Sequence, residues 1–237
     1  MSNYKELFDE LKKYSGDQYL DEFIKLLSRI LFSRSTFVQN SDNEELRSEF
    51  YSFLKSKIKE FSNEYSTDFN SISYLGEGHT SLAFKMGDNV IKIGKSSNHS
   101  LIDRYQHLEG LIPVYTHFDF KVGSREYYSI QFSPYVEMDD FSEEDLYDAY
   151  KKIRVNGYIW NDPTSDNMGR MVNDFDFNGH HYNKGDVVIL DLEDLAYVGE
   201  EVSDEVLDEI AISSYNGKVY RFETRYISEK ETQKMNK

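Results

Sequence analysis

A short glycine turn is the first segment of this sequence whose residues could bind a phosphate group. Gly76-Glu77-Gly78, with Ser81 close behind, joins two predicted strands. Two glycines one residue apart let the backbone approach phosphates closely, because a Cβ at either position would stand in the way. A plain hairpin turn is the commoner explanation of such a pair, so the turn alone does not establish a phosphate site.

A lysine follows in the middle of the next predicted strand. Lys92 interrupts the apolar run Val90-Ile91-Lys92-Ile93. Such a lysine either extends from the edge of a sheet or points towards an anion, since unpaired burial of its charge would be costly. One strand beyond the glycine turn, Lys92 could reach a phosphate that the turn covers.

Asp162 and Asn167 lie five positions apart in a polar loop that follows a predicted helix and precedes a predicted strand. This spacing can bring a general base and a metal ligand together. The same residues also fit a simple polar turn, which the Asp162-Pro163 pair would favour.

A run of carboxylates ends the last apolar strand. Asp191 follows Val187-Val188-Ile189-Leu190, and Glu193 and Asp194 come directly after it. Hard oxygen ligands of this kind suit Mg²⁺. Solvated acids at the end of a strand are the alternative.

The order of these four segments resembles that of the protein-kinase-like superfamily, in which a glycine-rich loop, a strand lysine, an Asp-x-x-x-x-Asn loop and a metal-binding Asp recur. The resemblance covers about residues 74–194, roughly half of the chain. It implies an α+β, two-lobed protein-kinase-like fold: a five-stranded antiparallel N-lobe sheet and a reduced, mainly helical C-lobe, here with extra N-terminal helices.

The resemblance also implies which residues would bind ATP and Mg²⁺. Gly76, Gly78 and Ser81 would cover the ATP phosphates, and Lys92 would hold the α and β phosphates. On the helix after the lysine strand, Glu109 is slightly favoured over Asp103 as the acid that pairs with Lys92.

The catalytic and metal-binding roles follow from the same resemblance. Asp162 would accept or position the proton of the attacking hydroxyl, while Asn167 and Asp191 would each bind Mg²⁺. Trp160-Asn161 replaces the His-Arg of eukaryotic-type protein kinases, and Asp191-Leu192-Glu193 replaces their Asp-Phe-Gly. These departures look more like the aminoglycoside and choline kinase branch, or like other compact prokaryotic kinases.

The expected function is therefore transfer of the γ-phosphoryl group of ATP to a hydroxyl, more readily that of a small molecule. An acidic run at the start of the helix after the fifth strand could attract a cationic acceptor, although charge preference at a helix N-terminus also explains it; it comprises Asp139, Asp140, Glu143, Glu144, Asp145 and Asp148. The alternatives are a compact toxin-like or regulatory protein Ser/Thr kinase and a nucleotide-binding pseudokinase.

Composition narrows the class of protein further. The chain has 237 residues, 39% of them apolar, no cysteine and a net charge of −16. Disulfides and thiolate zinc sites are thereby excluded, and nonspecific nucleic-acid binding is disfavoured because phosphates would be repelled. No apolar run approaches the roughly 20 residues that span a bilayer. We expect a soluble, cytoplasmic protein without nucleic-acid or membrane partners.

The elements that must position these residues follow from hydrophobic periodicity. Apolar residues at helical spacing predict three helices in an N-terminal section, 1–67, before an N-lobe at 68–136 and a reduced C-lobe at 137–237. Further helices are predicted at about 100–109, 142–156 and 204–212. Strands are predicted at 72–75, 82–86, 90–93, 114–120 and 127–132, in a hairpin-like pair at 168–172 and 187–192, and at 218–222. His180-His181 falls in the loop of that pair, as an exposed polar turn.

Overall fold

The computed structural model describes residues 4–34, 44–78, 81–96, 102, 105, 108–122, 126–160, 165–190, 192 and 195–197. The predicted last helix and strand, and the site residues Asp103, Asp162 and Asp191, lie outside these described residues. The chain forms two compact units: residues 1–100 with 114–135, and residues 101–113 with 136–237.

Three helices begin the first unit, as the apolar periodicity predicts. Helix α1 spans Tyr4–Asp9 and continues as a 3-10 turn at Glu10–Lys13. Helix α2 spans Gly16–Arg34, and helix α3 spans Glu44–Glu64. None of the described helices could cross a bilayer, because even the two long ones carry charged residues along their length.

The predicted five-stranded antiparallel sheet is confirmed. Its strands are β1 (Ser73–Glu77), β2 (Ser81–Met86), β3 (Asn89–Ser96), β4 (Thr116–Lys121) and β5 (Tyr127–Pro134). They lie in the order β1-β2-β3-β5-β4, with every neighbouring pair antiparallel. The central strand is therefore β3, which carries Lys92.

The three helices and one face of the sheet form a single hydrophobic core. Alternate residues of each strand point to the same face, and Phe84 of β2 and Phe132 of β5 meet aromatic rings of the helices there. Phe23 of α2 lies 5.0 Å from Phe84, and Phe61 of α3 lies 3.9 Å from Phe132, between ring centroids. The N-terminal helices thus complete the core of the sheet, and the opposite face stays free of them.

The second unit begins its regular structure with a two-residue strand β6 (Val136–Glu137) and helix α4 (Glu143–Arg154). Ser142 caps α4: its Oγ accepts a hydrogen bond from the N–H of Asp145 at 3.1 Å, and the Asp145 carboxylate accepts one from the N–H of Ser142 at 3.0 Å. This reciprocal capping box satisfies donors that the first turn of a helix leaves unpaired. It explains why the predicted helix begins where it does.

Six further short strands follow in the second unit. They are β7 (Tyr158–Trp160), β8 (Met168–Met171), β9 (Phe175–Phe177), β10 (His180–Tyr182), β11 (Val187–Ile189) and β12 (Leu195–Tyr197). The predicted pairing of β8 with β11 is confirmed, and β6 lies on the other side of β8. Strand β7 pairs with β12, and β9 with β10.

Two expectations for this unit are wrong in the described residues. Strand residues outnumber helical ones, so this part is not mainly helical. The β8–β11 connection also contains a complete hairpin, β9–β10, whose turn residues Asn178 and Gly179 have φ values of 50° and 83°. Positive φ at both positions is what a tight two-residue hairpin turn requires, and Asn-Gly adopts it readily.

Candidate functional site

Lys92 lies on the face of the sheet that the helices leave free. Its neighbours Ile91 and Ile93 are fully buried in the core, so strand alternation turns Lys92 to the opposite face. There it is half-buried, in register with Ala83 of β2 on one side and Gln131 of β5 on the other. The central strand thus presents one cation in the middle of the open face.

The surroundings of Lys92 on this face are polar. Gln131 donates a hydrogen bond from Nε2 to Oγ of Ser129 at 3.2 Å, and His117 of β4 is in register with Gln131. The Lys92 ammonium has no hydrogen bond or ion pair with any residue that the structure describes. A half-buried cation without a carboxylate suits an anionic ligand, because partial burial makes an unpaired charge costly.

The glycine turn lies at the edge of the same sheet. Gly78 donates its N–H to the Ser81 carbonyl at 2.9 Å, which closes the turn between β1 and β2. Among the described residues, a Cβ added at Gly76 would meet no atom within 4 Å, and one at Gly78 would meet only Ser81 Oγ, at 3.4 Å. Neither glycine has a positive φ. Neither backbone conformation nor contact with the described residues therefore requires glycine at these positions.

Two chain connections in the second unit share both of their ends. One runs through residues 161–167, from β7 to β8, and the other through 190–194, from β11 to β12. The last residue of β7, Trp160, pairs with the first of β12, Leu195, and the first of β8, Met168, pairs with the last of β11, Ile189. Both connections therefore bridge the same two strand pairs.

Asn167 lies where these connections meet β8 and β11. Its carbonyl accepts a hydrogen bond from the N–H of Leu190 at 2.8 Å, and its side chain is half-buried. Asp191 follows Leu190 in the chain, and Asp162 belongs to the connection that ends at Asn167. Neither aspartate is among the described residues, so their roles stay predictions.

Glu109 lies past the helical residues Ile102 and Tyr105, in a turn with Gly110 in which Glu109 is exposed and Gly110 is buried. Gly110 has a φ of 85° and accepts a hydrogen bond from Ile189 at 2.9 Å, which holds the turn beside β11. Burial, with a smaller contribution from the negative charge of Glu109, raises the pKa of Tyr182 to about 12. Glu109 belongs to the second unit and Lys92 to the first, so their pairing stays a prediction, as does the alternative with Asp103.

One member of the predicted acidic run, Asp145, stabilises the start of α4. Asp145 is the helical member of the capping box of α4, and it also lies 3.4 Å from the Arg170 guanidinium. Its hydrogen bonds with Ser142 are the main reason that its pKa lies below the ordinary value, and Arg170 adds to the effect. The side chains of Asp139, Asp140, Glu144 and Asp148 are exposed.

The two adjacent histidines begin strand β10 instead of forming the predicted exposed polar turn; His181 is exposed and His180 is half-buried. His181 Nδ1 lies 2.7 Å from Asp176 Oδ1, and this hydrogen bond raises the pKa of His181. Within the described ranges, no three His, Asp or Glu side chains are grouped so that they could hold a metal ion.

Arg154 is a buried charged residue that the sequence analysis did not identify. It ends α4 and is only 1% exposed, inside the second unit. The signal was its spacing, because Arg154 comes four residues after the buried Tyr150 and so shares the apolar side of the helix. A guanidinium buried there constrains its surroundings, since an unpaired charge would be costly.

The chain was also compared with known proteins. No model of a protein family matches it, and no characterised protein matches its sequence.

Proposed function

We propose that this chain is an ATP-dependent phosphotransferase of the protein-kinase-like superfamily that moves the γ-phosphoryl group to the hydroxyl of a small molecule. The observation that carries the proposal is the pair of connections with common ends, 161–167 and 190–194. In sequence, the first contains Asp162 and Asn167 and the second contains Asp191. The pairing of β7 with β12 and of β8 with β11 thus favours a common site for a base and two metal ligands.

The open sheet face supports the nucleotide part of the proposal. Lys92 is a half-buried cation without a described partner, as a residue that binds the α and β phosphates should be. Gly76 and Gly78 leave open space at the turn, where a ligand could approach the backbone. Glu109 is the residue proposed to pair with Lys92 in the nucleotide-bound enzyme.

The proposed chemistry divides among four side chains. Lys92 neutralises phosphate charge, and Asp162 orients the acceptor hydroxyl and takes its proton as the oxygen attacks the γ-phosphorus. Asn167 and Asp191 would hold Mg²⁺, which when bound offsets negative charge on the β and γ phosphates. The leaving group is ADP.

Two observations favour a small cationic acceptor. Exposed carboxylates precede or begin α4, at Asp139, Asp140, Glu144 and Asp148, so that this part of the second unit attracts cations. The apolar sides of α2 and α3 are used against the sheet, so they are not free to dock a protein substrate.

The test combines calorimetric titration of Mg·ATP with transfer of labelled γ-phosphate to a panel of amino alcohols and amino sugars. Asp162→Ala should lower turnover by about 10²- to 10⁴-fold with little change in ATP affinity. Asp166→Ala is the matched control, because Asp166 is an exposed carboxylate of the same connection. Lys92→Ala should weaken Mg·ATP binding, whereas Lys95→Ala, on the same strand but exposed and 3.6 Å from Glu126, should not.

Each other outcome points to a different function. Wild-type turnover in Asp162→Ala would refute the assigned base. Labelling of the chain itself or of a protein, without any small-molecule product, would favour a protein kinase. Mg·ATP binding without any phosphate transfer would favour a nucleotide-binding module. A chain that does not bind Mg·ATP would refute the proposed function.

A further inference from the structure

A pocket of about 510 Å³ opens between α2 and α3 in the first unit. Lys25, Ser28, Arg29 and Phe32 of α2 line one side, and Arg47 and Tyr51 of α3 line the other. Because these helices pack on the sheet face opposite Lys92, the pocket is separate from the proposed nucleotide face. Its size falls in the range of about 300–1,000 Å³ that small-molecule sites occupy.

The charge of this pocket is opposite to that of the chain. Three of its lining residues are cations and, among the described residues, no acid lines it, although the chain has a net charge of −16. Lys25 pairs with Glu22 at 2.7 Å. Arg29 and Arg47 have no carboxylate partner in the described part of the chain, and the Arg47 guanidinium lies 6.0 Å from the Phe32 ring centroid.

The rest of the lining is apolar and held in position. The Phe32 ring packs against Phe50 at 5.0 Å and Tyr128 at 5.9 Å, which anchors it in the core. The Tyr51 ring lies beside it in the pocket, and its hydroxyl is engaged with Asp21. Ser28 Oγ is buried and, within the described residues, lacks a hydrogen-bond partner. Aromatic surface and two guanidinium groups therefore face the same space.

We propose that this pocket binds a small molecule in which an anionic group, such as a carboxylate, sulfonate or phosphate, is attached to a flat apolar body. Guanidinium groups bind such anions through paired, charge-assisted hydrogen bonds. The apolar body would lie against Phe32 and Tyr51, where its burial is favourable. The positive lining selects an anion, since a cation would meet the guanidinium groups of Arg29 and Arg47, which have no carboxylate partner among the described residues.

Two fluorescent dyes test this with the full chain. Anilinonaphthalene sulfonate has the anion and the flat body, and phenylnaphthylamine has the same rings without the anion. Arg29→Glu/Arg47→Glu should weaken binding of the sulfonate by about tenfold or more, because hydrogen bonds to charged groups are lost and repulsion is added. Binding of the uncharged dye should stay within about twofold, since burial of its rings does not depend on charge.

The matched control is Lys121→Glu/Lys184→Glu, which makes the same change in net charge at two exposed positions. It should leave sulfonate binding within about twofold of wild type, because exposed charges distant from the dye are screened by salt. Where the glutamate variant melts at a lower temperature than wild type, Arg29→Gln/Arg47→Gln replaces it. The proposal is overturned if wild type shows no saturable sulfonate binding, if the arginine variant binds it as wild type does, or if both dyes lose affinity equally.

Discussion

Replacement of Gly169 by alanine has a direct steric consequence. Gly169 lies in β8, two positions after Asn167, and pairs with Val188 of β11. A Cβ at this position would lie 2.3 Å from Val136 Cγ2, 2.9 Å from Val136 Cβ and 3.2 Å from Leu190 Cδ2. Carbon atoms in contact prefer about 3.5–4.0 Å, so β6 and β8 would have to separate by roughly 1 Å.

The expected cost follows from this overlap. Overpacking of a core costs about 1–3 kcal/mol, and the loss of glycine flexibility in the unfolded chain returns about 0.5–1 kcal/mol. Gly169→Ala should therefore destabilise the second unit by about 1–2 kcal/mol. Val136→Ala removes two buried methyl groups and should cost about 2 kcal/mol by itself. In the double variant the new methyl of residue 169 occupies the space that the Val136 methyl groups leave. The double variant should therefore lose about 1–2 kcal/mol less stability than the sum of the two single variants.

Urea unfolding followed by tryptophan fluorescence measures this double-mutant cycle. Trp160 is the single tryptophan of the chain and is 1% exposed in the core of the second unit, so its emission reports that unit. A Gly169→Ala variant as stable as wild type would contradict the expected overlap with Val136. So would two substitutions whose costs add to within about 0.5 kcal/mol, which is the behaviour of independent sites.

Three further predictions concern the glycine turn, the cap of α4 and the β9–β10 hairpin. Gly76→Ala should raise stability by about 0.5–1 kcal/mol, because no described atom lies within 4 Å of the added methyl and alanine suits a strand better. The same substitution should weaken Mg·ATP binding in calorimetry, and unchanged affinity would show that the glycine serves no phosphate. Ser142→Ala should cost about 1 kcal/mol in urea unfolding and should raise the pKa of Asp145, whereas Ser142→Asp should keep most of the stability. Asp176→Asn should lower the pKa of His181 towards its ordinary value in an NMR pH titration, and an unchanged value would show that the pair does not form in solution. Since folding raises this pKa, the pair stabilises the hairpin below the ordinary histidine pKa, and the effect is lost as pH rises through the raised value.

The local elements were predictable because each depends on residues close together in the chain. Apolar residues at helical spacing predicted α2 and α3, and alternation predicted β2, where Leu82, Phe84 and Met86 are buried. The capping box of α4 lies within four residues. Such signals depend on backbone geometry, which repeats every 3.6 residues in a helix and every two in a strand.

Elements that span little more than one period were not predictable in the same way. Strands β7 and β12 have three residues each, too few for a periodic pattern, and their pairing joins Trp160 to Leu195 across a long stretch of chain. The hairpin β9–β10 has equally short strands, so the sequence predicts Asn178-Gly179 only as part of a turn between two longer strands.

The sequence by itself determined the order of the candidate site residues, the α+β class and the five strands around Lys92, because these follow from residue types and short-range periodicity. Only the tertiary structure decided that the N-terminal helices share one core with the sheet and leave the Lys92 face free. It likewise decided that connections 161–167 and 190–194 end at the same two strand pairs. Both results depend on contacts between residues far apart in the chain, and these contacts are selected by packing of the whole unit rather than by any local preference.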